Sequence, residues 1–239
     1  MSADLHGKWA FITGASRGIG RQLAFALAEQ GCHLILHSRD KQHTAGLEKE
    51  LAKRERRVVS LAADLSDQGA VDRLVVEALS LSGGLDIVYN NAAIMTPYRK
   101  DWLATPADDY RQCFEVNVIT PIRITYQVLP VMRSRGWGRI VQVTSGIANE
   151  PQLMAYAASK AALDKFVRDT VPSLRGSGVL MNLLDPGWLR TDLGGPKAPN
   201  PVESVLPGAL VPALLDDDTQ GKLFRAQDYR HATPSQGTP

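Results

Sequence analysis

Short apolar runs alternate with longer amphipathic segments along most of this chain, and this alternation constrains the fold more than any other feature. The strand-like runs are KWAFIT, HLILHS, RVVSLAA, LDIVYN, RIVQVT and VLMNLL, and each of the first five precedes a segment with helical periodicity. Such alternation builds βαβ units, whose parallel strands are buried by helices on both faces of the sheet. We therefore expect an α/β fold with a doubly wound parallel sheet of about seven strands.

Boundaries follow from the same pattern. Helices are predicted after Gly18 and over residues 43–54, 67–81, 106–134 and 154–175, and GKLFRA is predicted as a seventh, edge strand. The Pro- and Gly-rich stretch after Pro186 is typical of a loop over a site. We predict one domain over residues 1–226 and a disordered polar tail over 227–239, because the tail has little to bury.

Composition and charge exclude several classes of function. A net charge of +2 is too small to indicate a nucleic-acid partner. Cys32 and Cys113 lie in apolar segments without CxxC spacing, and the five histidines form no ligand pattern, so we expect no metal. No apolar stretch approaches the roughly 18 to 20 residues that span a bilayer, and the start MSADLHGK lacks the apolar core of a secretory signal. We expect a cytoplasmic protein without a membrane partner.

The stretch ITGASRGIG fits two catalytic motifs at once. One is G-x-S-x-G, the nucleophile elbow of a hydrolase with Ser16 as nucleophile; the other is a glycine turn at Gly14, Gly18 and Gly20 that cradles a pyrophosphate. The elbow needs an oxyanion loop on an earlier strand, yet only fifteen residues precede Ser16, and His231 falls in the predicted tail. The glycine turn needs a strand, a turn and a helix N-terminus, and all three are predicted here. The pattern favours a dinucleotide site.

Tyr156 and Lys160 form a second candidate pair. They are four residues apart in a predicted helix, so both side chains project from one face. A phenol with a pKa near 10 exchanges protons poorly at pH 7, and a neighbouring ammonium stabilises the phenolate. Lys160 is therefore expected to lower the pKa of Tyr156, unless the two residues merely share a helix surface.

Two further positions carry a local argument. Ser145 follows a strand at the carboxyl end of the sheet, where open α/β sheets bind ligands. Within a helix, Pro121 cannot donate to the carbonyl of Asn117, so a free carbonyl and a bend are expected there.

Several of these motifs occur in one order, and together they resemble the classical short-chain dehydrogenase/reductase family from about Lys8 to Thr191. The matching stretches are TGASRGIG (13–20), NNAA (90–93), Asn117, Ser145, YAASK (156–160) and PGWLRT (186–191). The resemblance implies a Rossmann-type fold and a carbonyl-reductase-like oxidoreductase that uses a nicotinamide dinucleotide.

The resemblance also implies catalytic roles. Tyr156 is the general acid/base, Lys160 supports it and holds the nicotinamide ribose, and Ser145 stabilises the substrate oxygen. The carbonyl of Asn117 binds a water linked to the lysine. The separation from Ser145 to Tyr156 is eleven residues, two fewer than is usual in the family, so Thr144 remains an alternative.

The cofactor residues that the resemblance implies run from the glycine turn to the strand ends. They are Gly14, Ser16, Arg17, Gly18, Ile19, Gly20, Ser38, Arg39, Asp64, Leu65, Asn91, Ala92, Tyr156, Lys160, Pro186, Gly187, Leu189 and Thr191. An acid at the end of the second strand selects NAD, but Ser38 occupies that position, and Arg17 and Arg39 are placed to bind a 2′-phosphate. NADP (NADPH) is favoured over NAD, unless Asp40 points inward and opposes the phosphate.

The predicted activity is reduction of a ketone or aldehyde, or oxidation of the matching secondary alcohol. Trp188, Leu189 and Leu193 are candidates for an apolar substrate lining. The resemblance also implies a homodimer or homotetramer. The alternative is a non-catalytic NAD(P)-binding regulator or scaffold of the same fold, which the presence of both Tyr156 and Lys160 disfavours.

Overall fold

One parallel sheet organises the chain. The structure is a computed structural model that describes residues 2–54 and 56–230. Its strands are β1 (Trp9–Ile12), β2 (His33–Ser38), β3 (Val58–Ala62), β4 (Ile87–Asn90), β5 (Gly138–Val143), β6 (Val179–Asp185) and β7 (Leu223–Arg225). They are all parallel, in the order β3-β2-β1-β4-β5-β6-β7. The predicted α/β fold is confirmed, and the strand order reverses between β1 and β4, the switch point where such sheets bind ligands.

Helices cover both faces of this sheet. They are α1 (Gly18–Glu29), α2 (Gln42–Ala52), α3 (Gln68–Ser82), α4 (Ala107–Phe114), α5 (Thr120–Arg135) and α6 (Met154–Thr170). Successive residues of a strand point to opposite faces, so Ala10 packs in one apolar core with α1 and α2 while Phe11 packs in a second with α3 and α5. This double burial explains why the strands are continuous apolar runs.

The segment predicted as one helix over 106–134 is interrupted. Between α4 and α5, residues Glu115–Ile119 form one π-helical turn, in which the amide of Thr120 bonds the carbonyl of Glu115, five residues earlier. Pro121 follows without an amide hydrogen, which is the physical reason for the break. The last predicted helix, 154–175, ends as α6 at Thr170 and continues as a 3₁₀ turn at Val171–Leu174, the second residue of which is proline.

The stretch after Pro186 is only partly a loop. Its second half forms 3₁₀ turns at Val202–Val205 and Gly208–Ala213, which bury Val205 and Ala209 completely against the core on the α1 side. The expectation of a loop over a site therefore applies only to the stretch before these turns.

The folded part also extends past the predicted domain end at 226. A 3₁₀ turn spans Ala226–Tyr229, and the side-chain amide of Gln227 donates to the carbonyl of Pro186 at 2.8 Å. Residues 227–230 of the predicted tail thus have a defined conformation, and the rest of that prediction, 231–239, lies outside the described residues. Within residues 2–54 and 56–230, no helix combines the length and apolar character that a membrane span requires.

Candidate active site

The glycine turn joins β1 to α1. Gly14 and Gly18 have φ values of +68° and +55°, in the left-handed region that favours glycine. A Cβ on Gly20 would lie 2.2 Å from the carbonyl oxygen of Gly14, so only glycine allows the helix to start this close to the turn. The first amides of α1 have no acceptor within the helix, and a helix N-terminus of this kind attracts phosphate.

A cleft of about 860 Å³ opens at this turn, at the carboxyl ends of β1 to β4. Predicted cofactor residues that line it are Gly14, Ser16, Arg17, Gly18, Ile19, Ser38, Arg39, Asp64, Leu65, Asn91, Ala92 and Thr191. The volume suits a large ligand, and the glycine backbone at its floor leaves room for a pyrophosphate. The residues present therefore fit a dinucleotide.

Other predicted cofactor residues lie outside this lining. Gly20 packs beneath the turn, and Leu189 is 3% exposed, with its side chain in the core on the α1 side. The carbonyl of Pro186 accepts from Gln227, and the amide of Gly187 donates to the Asp185 carboxylate at 2.9 Å. The Leu189 side chain is therefore absent from the cleft lining, and an isolated backbone bridge joins this residue to Asn200.

Several polar side chains at the cleft are committed to the protein itself. The Asn91 amide donates to the carbonyl of Thr13 at 2.8 Å, which ties the end of β4 to the end of β1. Ser38 donates to the carbonyl of Asp40 at 2.6 Å. The Asp40 carboxylate accepts from the amide of Gln42 at 2.9 Å and is absent from the lining. The Asp40 carboxylate is therefore engaged with the first amide of α2 and does not line the cleft.

Tyr156 and Lys160 lie on α6, both buried. The ammonium of Lys160 donates to the carbonyl of Val143 at 2.8 Å and lies 5.8 Å from the centre of the Tyr156 ring. Tyr156 packs with Cys113 and Met95, and Met95 also lines the cleft. The structure therefore places the Tyr–Lys pair next to the cleft, although neither residue belongs to its lining.

Burial controls both pKa values. Desolvation raises the pKa of Tyr156 to about 12; a hydrogen bond with Ser145 opposes this rise, and the nearby Asp185 adds to it. Burial lowers the pKa of Lys160 to about 8, although the Asp164 carboxylate favours the ammonium. Burial therefore dominates the pKa of the phenol in this structure, and the effect of the Lys160 ammonium on Tyr156 stays a prediction.

Ser145 and Thr144 have different partners. The Ser145 hydroxyl faces Tyr156 and also accepts from the amide of Ile147 at 3.2 Å. The Thr144 hydroxyl donates to the Asp164 carboxylate at 2.5 Å. Of the two positions left open by the sequence, Ser145 is the one that meets the phenol.

The side chain of Asn117 connects the cleft to α6. Its Oδ1 accepts from the amide of Ile94 at 2.9 Å, and its Nδ2 donates to the carbonyl of Ile94 at 2.9 Å and to the Ser159 hydroxyl at 3.0 Å. Ile94 lines the cleft. The sequence indicated a role for the Asn117 carbonyl, but it gave no signal for this bridging side chain.

Several cleft residues were not predicted. They are His37, His43, Ser66, Ala93, Ile94, Gln112, Val116 and Asp192. A polar His37 inside the apolar run HLILHS was a usable signal. The others reach the cleft only through the packing of loops and α4, which no local pattern reveals.

Comparison with known proteins agrees with this geometry. A family model described as short chain dehydrogenase matches residues 8–201. D-beta-hydroxybutyrate dehydrogenase of Cupriavidus necator is 33% identical over 192 residues, which cover 79% of this chain and 73% of that protein. The chain spans between 61% and 78% of the length of such curated relatives.

Two solved structures share the fold. A 3-oxoacyl (acyl-carrier-protein) reductase from Agrobacterium tumefaciens with NADP bound has a TM-score of 0.84 and 28% identity, with 92% of this chain and 93% of that chain covered. A 7α-hydroxysteroid dehydrogenase complexed with NADH and 7-oxo glycochenodeoxycholic acid has a TM-score of 0.84 and 25% identity over the same shares. The resemblance seen in the motifs is confirmed: this chain belongs to the short-chain dehydrogenase/reductase family, whose activity is NAD(P)-dependent oxidation and reduction at CH–OH and C=O groups.

Proposed function

We propose that this protein is an NADPH-dependent oxidoreductase that reduces a ketone or aldehyde, or oxidises the matching secondary alcohol. One observation carries the proposal: the hydroxyl of Ser145 faces the Tyr156 phenol, whose pKa it lowers, beside a cleft whose floor is a glycine turn. A phenol, a hydroxyl and a dinucleotide site side by side are what hydride transfer to a carbonyl requires.

The proposed chemistry assigns each side chain a step. When bound, the nicotinamide dinucleotide supplies or accepts the hydride. Tyr156, whose pKa of about 12 keeps it protonated at neutral pH, donates its proton to the substrate oxygen during reduction. Ser145 stabilises the negative charge that develops on that oxygen, and Lys160 holds the ribose next to the nicotinamide. In the oxidation direction, the phenolate form of Tyr156 accepts the proton of the alcohol instead.

The preference for NADPH rests on the adenosine end of the cleft. Arg39 and His43 line the cleft there, and the carboxylate of Asp40 is engaged with the first amide of α2. Arg17 pairs with Asp192 at 2.6 Å, but both side chains are 68% exposed, and such pairs contribute at most about 1 kcal/mol. A 2′-phosphate therefore competes readily with Asp192 for Arg17.

This preference is tested by dissociation constants for NADPH and NADH. We expect Arg39→Ala to weaken NADPH binding about tenfold and to leave NADH binding unchanged, because only NADPH carries the phosphate. Lys41→Ala, two residues further along and outside the cleft lining, is the control. Equal losses for both dinucleotides would contradict the preference.

An apolar substrate of small size is the proposed class. Trp188 is 59% exposed and Leu193 is 39% exposed, and Leu193 lines the cleft. Exposed large apolar side chains beside a cleft favour an apolar ligand.

The assembly proposed from the resemblance is a homodimer or homotetramer, and the cytoplasmic location remains a prediction from composition.

Turnover tests the whole proposal. Oxidation of NADPH and of NADH is followed with a panel of ketones and aldehydes. Tyr156→Phe is expected to lower kcat by about 10²- to 10⁴-fold, since it removes only the acidic proton. Tyr126→Phe, on the exposed side of α5, is the matched control and is expected to keep the wild-type rate. Full activity in Tyr156→Phe would overturn the acid/base role, and cofactor binding without any turnover would favour the non-catalytic alternative.

A further inference from the structure

His37 forms hydrogen bonds through both ring nitrogens and through its carbonyl, and two of these three bonds are to the glycine turn. Its Nδ1 lies 3.3 Å from the amide nitrogen of Gly14, and its Nε2 lies 3.1 Å from the carbonyl oxygen of Ala63, just after β3. Its own carbonyl accepts from the amide of Ala15 at 2.9 Å. One residue of β2 thus binds two successive amides of the turn and also the chain that leaves β3.

These partners fix the protonation state of the ring. The Gly14 amide can only donate and the Ala63 carbonyl can only accept, so Nδ1 is the acceptor and Nε2 carries the hydrogen. The residue is 2% exposed, and burial lowers the pKa of His37 to about 4. The neutral Nε2–H tautomer is the form that satisfies both contacts.

Gly14 is held from its other side as well. Its carbonyl accepts from the Asn91 amide at 3.2 Å, and a Cβ placed on Gly14 would lie 3.0 Å from the Cα of Ala92. With its carbonyl fixed by Asn91 and its amide by His37, the peptide units on either side of Gly14 have one orientation. His37 also lines the cleft beside Ser38 and Asp64.

We propose that His37 is a positioning residue for the dinucleotide, acting through the Gly14 amide to set the path of the turn that receives the pyrophosphate. This inference rests on the proposed function, because it assumes that the cleft binds the dinucleotide. The role belongs to the ring rather than to the backbone, since any residue at this position supplies the carbonyl that Ala15 uses.

The test compares two variants of the full chain by fluorescence titration with NADPH. His37→Leu leaves the Gly14 amide and the Ala63 carbonyl unpaired, and we expect its Kd to rise about tenfold while kcat at saturating NADPH changes less than about twofold. His37→Gln keeps one acceptor and one donor and is expected to recover most of the affinity. His33→Leu, on the same strand but bonded to the amide of Arg57 at the other end, is the control and is expected to bind as wild type does.

The outcomes separate the two hypotheses. A wild-type protein that binds neither dinucleotide overturns the proposed function. A wild-type protein that binds NADPH, with a folded His37→Leu of equal affinity or a His37→Gln no better than His37→Leu, overturns only the positioning role. ¹⁵N NMR of the imidazoles in the wild-type protein provides a second readout that needs no variant. A proton on Nδ1 rather than Nε2 of His37 would also overturn it.

Discussion

At the residue scale, burial of the His37 side chain makes the free energy of unfolding depend on pH in the acidic range. Its folded pKa of about 4 lies below the usual 6.5, mainly through desolvation, while the facing groups, the Ala63 carbonyl and Asp64, oppose the shift. Between pH 6.5 and pH 4, His37 is protonated to a greater extent in the unfolded chain than in the folded one. The contribution of neutral His37 to the free energy of unfolding is therefore complete above pH 6.5 and is lost as the pH falls towards 4.

The predicted loss from His37 between pH 7 and pH 4.5 is about 2 to 3 kcal/mol of unfolding free energy. Urea denaturation at both pH values measures it, with His37→Gln as the comparison because an amide does not titrate in this range. An identical pH dependence in the variant and the wild type would contradict the assignment.

Ser145 and Thr144 make opposite predictions although they are adjacent. Ser145→Ala is expected to lower kcat by about 100-fold. It is also expected to move the midpoint of the alcohol-oxidation pH profile upward, because the hydrogen bond from Ser145 lowers the pKa of Tyr156. Thr144→Val removes the hydroxyl that bonds Asp164 but is expected to keep most of the rate. The reverse pattern in steady-state kinetics would show that Thr144 is the functional residue.

The spacing of Tyr156 and Lys160 predicted that they share a helix face, and the structure has both on α6. The sequence could not predict the direction of the Tyr156 pKa shift. That direction depends on burial against Cys113 and Met95, which are far from Tyr156 in the sequence.

At the scale of elements, the Asn117 side chain joins the π-helical turn between α4 and α5 to Ile94 and to α6. Removing its amide in Asn117→Ala leaves both backbone groups of Ile94 and the Ser159 hydroxyl without this partner. Because these groups are partly or fully buried, we expect a loss of about 2 to 4 kcal/mol in unfolding free energy, measured by urea denaturation. A loss below about 0.5 kcal/mol, typical of surface substitutions, would show that the bridge is not structural.

The sequence predicted the positions of the helices and strands better than the points at which a helix is interrupted. Pro121 predicts a bend at Asn117, whereas the helical periodicity predicts one helix over 106–134. The stretch after Pro186 read as a loop because of its Pro and Gly content, whereas Val205 and Ala209 are fully buried. Pro and Gly content indicates local backbone conformation, but it does not show which residues pack against a helix that is remote in the sequence.

At the scale of the whole molecule, exposed apolar side chains on neighbouring helices favour self-association. Val76 on α3 is 63% exposed and Tyr126 on α5 is 60% exposed, and the two helices pack together. We expect a dimer or tetramer by analytical ultracentrifugation, and a shift towards monomer in Tyr126→Glu, because a buried unpaired charge opposes association. A monomeric wild type, or a variant that assembles unchanged, would contradict this expectation.

The fold class was predictable because buried parallel strands and amphipathic helices leave periodic patterns in the sequence. The shape of the cleft was not, since Met95, Gln112 and Asp192 reach it from separate loops and helices. Their positions result from the packing of the whole chain.

Titration of the wild-type protein with NADPH and with NADH, followed by calorimetry, tests the central claim most directly. A cleft formed by the glycine turn and the ends of β1 to β4 predicts saturable binding of one dinucleotide per chain, with NADPH the tighter ligand. Absence of heat for both dinucleotides at millimolar concentration, from protein shown to be folded, would contradict it.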